Sequence, residues 1–269
     1  MNHKVFVVPH DFTPVADNAL NHAIATAKIV NARIYLLHVV GKLKEIDAAE
    51  AQLKKVIIEK KSDVELVPSV RVGNIFEDIG DFAAEHHAEL IFMGTHGMTG
   101  WQQITGSRAM KVIVNSDVPF VVVQEKKIGV NGYDNIVVPL DLNAETKQKL
   151  GYVANIASYF NSHVHVVIPD EKDPIFKSKL KVNIKFAQKF FEERSLNYDI
   201  SFIDHEDFEK SVLKHSEKIN ADLIAIMNIN KGGILPGLIT KPEEYLLTND
   251  ANIPILILNP TVNISSMFY

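Results

Sequence analysis

The chain reads as an α/β protein of two tandem, doubly wound, five-stranded parallel sheets, and three features of its 269 residues predict this. A shift of 130 positions lays Val7, Val8, Pro9, Asp11, Leu20, Ala27 and Asn31 on Val137, Val138, Pro139, Asp141, Leu150, Ala157 and Asn161, an ungapped internal repeat. Short apolar runs are continuous rather than alternating, which marks strands covered on both faces, as in a parallel sheet. Longer segments with apolar residues at three- and four-residue spacing separate them, the pattern of helices that lay one face on such a sheet.

In the first repeat the expected strands are Val5 to Val8, Ile34 to Val40, Leu66 to Val72, Leu90 to Met93 and Phe120 to Val123. Between them the spacing predicts helices over Pro14 to Val30, Ile46 to Lys61, Ile75 to His86 and Ser107 to Asn115, with Asp47 and Ser107 as N-caps. The Gly- and Lys-containing stretch Lys126 to Gly132 reads as a linker. Residues 1–127 and 133–260 are therefore the expected domains. In the second, Val164, Val166 and Val167 repeat the pattern of Ile34, Leu36 and Leu37, and Ala221, Leu223 and Ile224 that of Ala88, Leu90 and Ile91. The last strands, Phe120 to Val123 and Ile255 to Leu258, would each leave an apolar edge open, so they are expected to pair antiparallel as an internal pseudo-dimer.

Composition narrows the function. With 28 basic against 33 acidic residues, neither repeat has the basic excess that binding to nucleic-acid phosphates requires. The absence of cysteine removes thiol nucleophiles, disulfides and thiolate-bound metal, and fits a reducing cytoplasm. No apolar stretch approaches the ~20 residues that cross a bilayer, and the N-terminus runs straight into the apolar Val5 to Val8 without a leader pattern.

Two loops at carboxyl ends of strands carry the chemistry, where open α/β sheets hold their ligands. Pro9-His10-Asp11-Phe12-Thr13 follows the first strand, and Asp11 is placed either to accept hydrogen bonds from a ribose or to cap the helix opening at Pro14. Gly94-Thr95-His96-Gly97-Met98-Thr99-Gly100 follows the fourth, and Gly106-Ser107 opens the last helix. Glycines let backbone N–H groups approach an anion closely, and a helix N-terminus adds free N–H groups and a positive dipole end.

These stretches, together with Leu37-His38-Val39-Val40, Val70, Gly73 and Val118-Pro119, resemble the universal stress protein family over nearly all of repeat one and more weakly over repeat two. The resemblance implies that Gly94, Gly97, Gly106 and Ser107 hold the phosphates of ATP, that Asp11 lies near the ribose, and that backbone at Val39 and Val40 meets the adenine. Arg108 is the only cation nearby, and Mg accompanies the nucleotide. Eight residues separate Gly97 from Gly106, one fewer than in the family pattern. The implied function is a cytoplasmic stress-response sensor or regulator without committed turnover. A nucleotide-free interaction scaffold and a weak ATP hydrolase are the alternatives, and a further homodimer is compatible with either.

In repeat two the corresponding loop begins Met227-Asn228 and places Lys241 and Pro242 where repeat one has Gly106 and Ser107, so no second ATP site is expected and Asp141 reads as a cap. His163 and His165 share one face of a strand, yet no third ligand is evident beside them and no metal is assigned. The lysines from Lys177 to Lys189 interleave with Phe186, Phe190 and Phe191 as a solvated face over a core stripe. Trp101, inside the glycine loop, reads as a cover over nucleotide or a partner contact. No Ser-His-Asp arrangement or placed nucleophile appears.

Overall fold

The structure, a computed structural model, describes residues 3–95, 106–142, 147–228 and 245–260. The first half runs β1 (Val5–Pro9), α1 (Pro14–Val30), β2 (Arg33–Val40), a 3-10 turn (Leu43–Glu45), α2 (Ile46–Lys60), β3 (Leu66–Val72), α3 (Ile75–Glu85), β4 (Leu90–Gly94), α4 (Gly106–Val114) and β5 (Phe120–Val123). The second runs β6 (Asn135–Pro139), α5 (Lys149–Phe160), β7 (His163–Pro169), α6 (Pro174–Glu192), β8 (Asn197–Ile203), α7 (Phe208–Lys218), β9 (Leu223–Met227) and β10 (Ile255–Leu258).

The two five-stranded sheets are one. Their strands lie in the order β3-β2-β1-β4-β5-β10-β9-β6-β7-β8, so each half repeats the same internal order outward from the middle. All pairs are parallel except the central one, where β10 runs antiparallel to β5 with Leu256 opposite Val121. The expected pairing of the last strands is thus present, and it saturates two edges that would otherwise template other chains.

Both faces of the sheet are covered, which explains the continuous apolar runs. On one face Phe6, Val8, Leu36, Val121, Ile136, Val138, Val166 and Leu256 share a core with α1, α5 and α6. On the other, Val7, Leu37, Phe120, Val137, Val167 and Ile255 pack with α3, α4 and α7. Alternate residues of each strand feed opposite cores, as the period of two demands.

Capping corrects the sequence reading in three places. Thr13, extended at φ −90°, caps α1 by accepting from Ala16 N, and Pro14 follows it at the first helical position. The N-cap of α2 is Glu45 rather than Asp47, because the preceding 3-10 turn carries the chain into the helix and leaves Asp47 in its first turn. Ser107 falls inside α4, one residue after its start. The lysine-rich α6 behaves as expected: Leu180, Ala187, Phe190 and Phe191 are buried, and the lysines lie outside them.

Polar contacts stitch the halves together beside the central strands. Gln124 Nε2 donates to the carbonyl of Asn249 at 3.1 Å. Lys126 Nζ lies 3.3 Å from Asp222 Oδ1, and Lys4 Nζ donates to Tyr159 at 2.9 Å.

Candidate functional site

Asp11, Val39 and Gly94 are brought together. They line a cleft of about 90 Å3 at the carboxyl ends of β1, β2 and β4. Leu37, Ile75, Ile79 and Met93 give it an apolar floor, and His10 and His38 stand at its side. Apolar walls with a few convergent polar groups suit a flat aromatic base joined to a polar sugar. Val40, by contrast, turns into the core and does not line the cleft. Its alternation with Val39 along β2 is the physical reason, since successive strand side chains point to opposite faces.

Asp11 is exposed and is not the helix cap. Its Oδ1 accepts from Thr13 N at 3.2 Å and from Thr13 Oγ1 at 2.5 Å, so it holds the cap residue in place and keeps Oδ2 for a further donor. Two histidines that the sequence reading did not assign complete this corner. His10 is buried; its Nδ1 accepts from Phe12 N at 3.1 Å, which leaves the proton on Nε2 to be donated to Asp17 Oδ1 at 3.2 Å. Burial lowers the His10 pKa, against the opposing pull of Asp17. His38 Nδ1 donates to the carbonyl of His10 at 2.7 Å, and its ring lies 4.6 Å from that of Phe12. Phe12 occupies the left-handed region at φ 66°, which a bulky residue adopts only where its surroundings hold it. Only the spacing around Asp11 pointed here; the left-handed turn gave no signal in the sequence.

Gly94 is needed for close approach. A Cβ there would lie 2.6 Å from the carbonyl oxygen of Val15 and 2.8 Å from Ala16 N, both backbone atoms of the first turn of α1. The glycine therefore lets the end of β4 press against the start of α1. Gly106 and Ser107 begin α4, and Arg108 is exposed on its first turn. Gly97 and Trp101 lie outside the described residues, as do Lys241 and Pro242.

In the second half the counterpart of Asp11 is engaged from within. Asp141 favours the charged form of Lys149, whose ammonium burial pushes down to about 8. Because α5 starts at Lys149, Asp141 does not cap it. A larger cavity, of about 470 Å3, opens between Lys4 and Glu89 of the first half and Tyr159 and Arg194 of the second. It lies at the amino ends of β1 and β4, the end of a parallel sheet that does not ordinarily hold the ligand.

A profile of the universal stress protein family matches residues 2–124. A universal stress protein of Methanocaldococcus jannaschii is 31% identical over 143 residues, 46% of this chain and 84% of that protein. The chain belongs to the universal stress protein family. A second universal stress protein of the same organism is 28% identical over 156 residues, again 46% of this chain, and 96% of its own length is covered. Both relatives are shorter than this universal stress protein and match about half of it. The crystal structure of a universal stress protein from Archaeoglobus fulgidus superposes over 96% of this chain and 99% of its own with a TM-score of 0.74, at 14% identity, a likeness of fold.

One expectation fails elsewhere. His163 and His165 do have a third potential ligand: the β7–β8 register sets Asp199 directly opposite His165. The residues are 34 apart in sequence, so only the strand pairing reveals it.

Proposed function

We propose that this universal stress protein binds an adenine nucleotide, ATP by preference, at the cleft of its first half, and acts in the cytoplasm as a sensor or regulator of a stress response. The observation that carries the reading is the convergence of Asp11, Val39 and Gly94 on one apolar-floored cleft at the strands' carboxyl ends. Leu37, Ile75 and Met93 suit the base, and the spare oxygen of Asp11 suits a ribose hydroxyl. The N-terminus of α4, with Gly106, Ser107 and Arg108, would meet the phosphates. Mg2+ enters with the triphosphate and is assigned no residue.

ATP, ADP and adenosine titrated calorimetrically against wild type and Asp11→Ala test this. Saturation at one site per chain is expected. Loss of a hydrogen bond to a charged group, about 1.5 to 3 kcal/mol, should weaken all three alike in the variant. Unchanged ATP affinity in Asp11→Ala would place the ligand elsewhere, and no binding at all would favour the nucleotide-free scaffold.

A further inference from the structure

His163 Nε2 and His165 Nδ1 approach the same oxygen, Asp199 Oδ2, at 2.8 and 2.7 Å. The three ligand atoms lie within 4.8 Å of one another, and the two rings are 4.5 Å apart. We propose that His163, His165 and Asp199 form a binding site for a divalent cation of the zinc class, in the second half and apart from the nucleotide cleft. The inference stands independently of nucleotide binding.

The orientation of His165 supports it. Asn135 Oδ1, which can only accept, lies 3.0 Å from His165 Nε2, so Nε2 carries a proton, and in the neutral ring the Nδ1 lone pair faces Asp199. An imidazole that donates one N–H to a carbonyl-type oxygen and directs its other nitrogen to a shared centre is the usual outer support of a metal-ligating histidine. The main-chain N–H of Asn135 in turn donates to Asp222 Oδ2 at 3.1 Å, which anchors this support. With no cation present, a proton on Nδ1 bridges His165 to Asp199 at 2.7 Å, and a bound cation would take that proton's place.

The internal repeat supplies a comparison. β7 and β8 stand in the second half where β2 and β3 stand in the first, and register puts Tyr35 opposite Val67 where His165 is opposite Asp199. Arg33 takes the place of His163 and Val5 that of Asn135. The first half fills this position with aromatic packing, the Tyr35 and Phe82 rings 5.6 Å apart. The fold is therefore served by an apolar filling, and the His-His-Asp cluster is an addition of the second half. His215, in the last turn of α7 where Phe82 stands in α3, adds a third imidazole nearby, and its buried Nε2 has no hydrogen-bond partner among the described residues.

Two imidazoles and one carboxylate suit zinc and its neighbours better than magnesium or calcium, which favour all-oxygen sites. With metal–ligand bonds of about 2.0 to 2.1 Å, tetrahedral ligands stand roughly 3.3 Å apart. Seating an ion thus requires the ligand atoms to spread by about half an ångström, within reach of side-chain rotation because His163 and Asp199 are 42% and 44% exposed. Three protein ligands leave the remaining position to water.

The test is calorimetric titration of the metal-free, tag-free full chain with Zn2+ alone, for wild type, His163→Ala and Asp199→Asn. One ion per wild-type chain is expected, with affinity at least about tenfold weaker in each variant, and about 10- to 100-fold weaker in Asn135→Ala through the supporting contact. Thermal unfolding verifies that each variant is folded. A readout needing no variant is Co2+ added to wild type: paramagnetic broadening should reach the ring protons of His163 and His165 first. Absence of binding, binding that survives both ligand substitutions, or broadening centred on other histidines would overturn the site.

Discussion

The Tyr133 hydroxyl donates to His22 Nδ1 at 2.8 Å, joining α1 of the first half to the start of the second across 111 residues. The carbonyl of Lys126 accepts from the other ring nitrogen at 3.0 Å, which fixes the tautomer. Both side chains are buried, and burial raises the Tyr133 pKa. Tyr133→Phe keeps the ring and removes the donor, leaving Nδ1 unpaired in the interior. A loss of about 1 to 3 kcal/mol is expected, measured by chemical denaturation; an equally stable variant would show the bond to be dispensable.

The same histidine makes stability depend on pH. Burial lowers its pKa from 6.5 to about 4 in the folded chain. Between these values the unfolded chain binds the extra proton, so the contribution is complete above pH 6.5 and is lost as pH falls towards 4. The full span corresponds to about 3 kcal/mol. His10, also lowered by burial, adds a loss of the same sign. Denaturation curves from pH 7.5 to 4 should show a steeper decline for wild type than for His22→Gln, and parallel curves would refute the assignment.

Gly94→Ala should destabilise the protein by about 1 to 3 kcal/mol, the usual cost of overpacking, because its Cβ meets rigid backbone at Val15 and Ala16 rather than a movable side chain. Thermal melting checks this, and ATP titration of the same variant should show weaker binding, since α1 and β4 frame the cleft.

Residues 1–127 expressed alone should dimerise. Removing β10 exposes the edge of β5, all four of whose residues are buried in the full chain. Sedimentation should report a concentration-dependent dimer, and a persistent monomer would show that the edge is protected by other means.

The fold was legible because the apolar runs and amphipathic segments behind it are local patterns, and the chain repeats them. β3 and β5 have the predicted limits, Leu66–Val72 and Phe120–Val123, since continuous apolar runs between polar turns admit few alternatives. Caps were less legible. Thr13 rather than Asp11 closes α1, although either type fills the role, and the choice rests on a Phe12 backbone conformation that no propensity predicts. The site was legible in part: Asp11, Val39 and Gly94 converge through topology alone. His10 and His38 were missed because their significance lies in a hydrogen bond between two strands' ends, and Asp199 because its partner lies on the neighbouring strand.

The single antiparallel step between β5 and β10 gives the molecule a front and a back. The carboxyl ends of β1–β5 open on one rim of the sheet and those of β6–β10 on the opposite rim. Two identical first halves joined in this way would show the same cleft on both rims and bridge two copies of anything that recognises it. Here the far rim carries Asp141 beside the buried Lys149 instead. On the proposed reading, with nucleotide held in the first half alone, the duplicated architecture would be monovalent, so that a molecule reading the Asp11 rim would be engaged without being cross-linked.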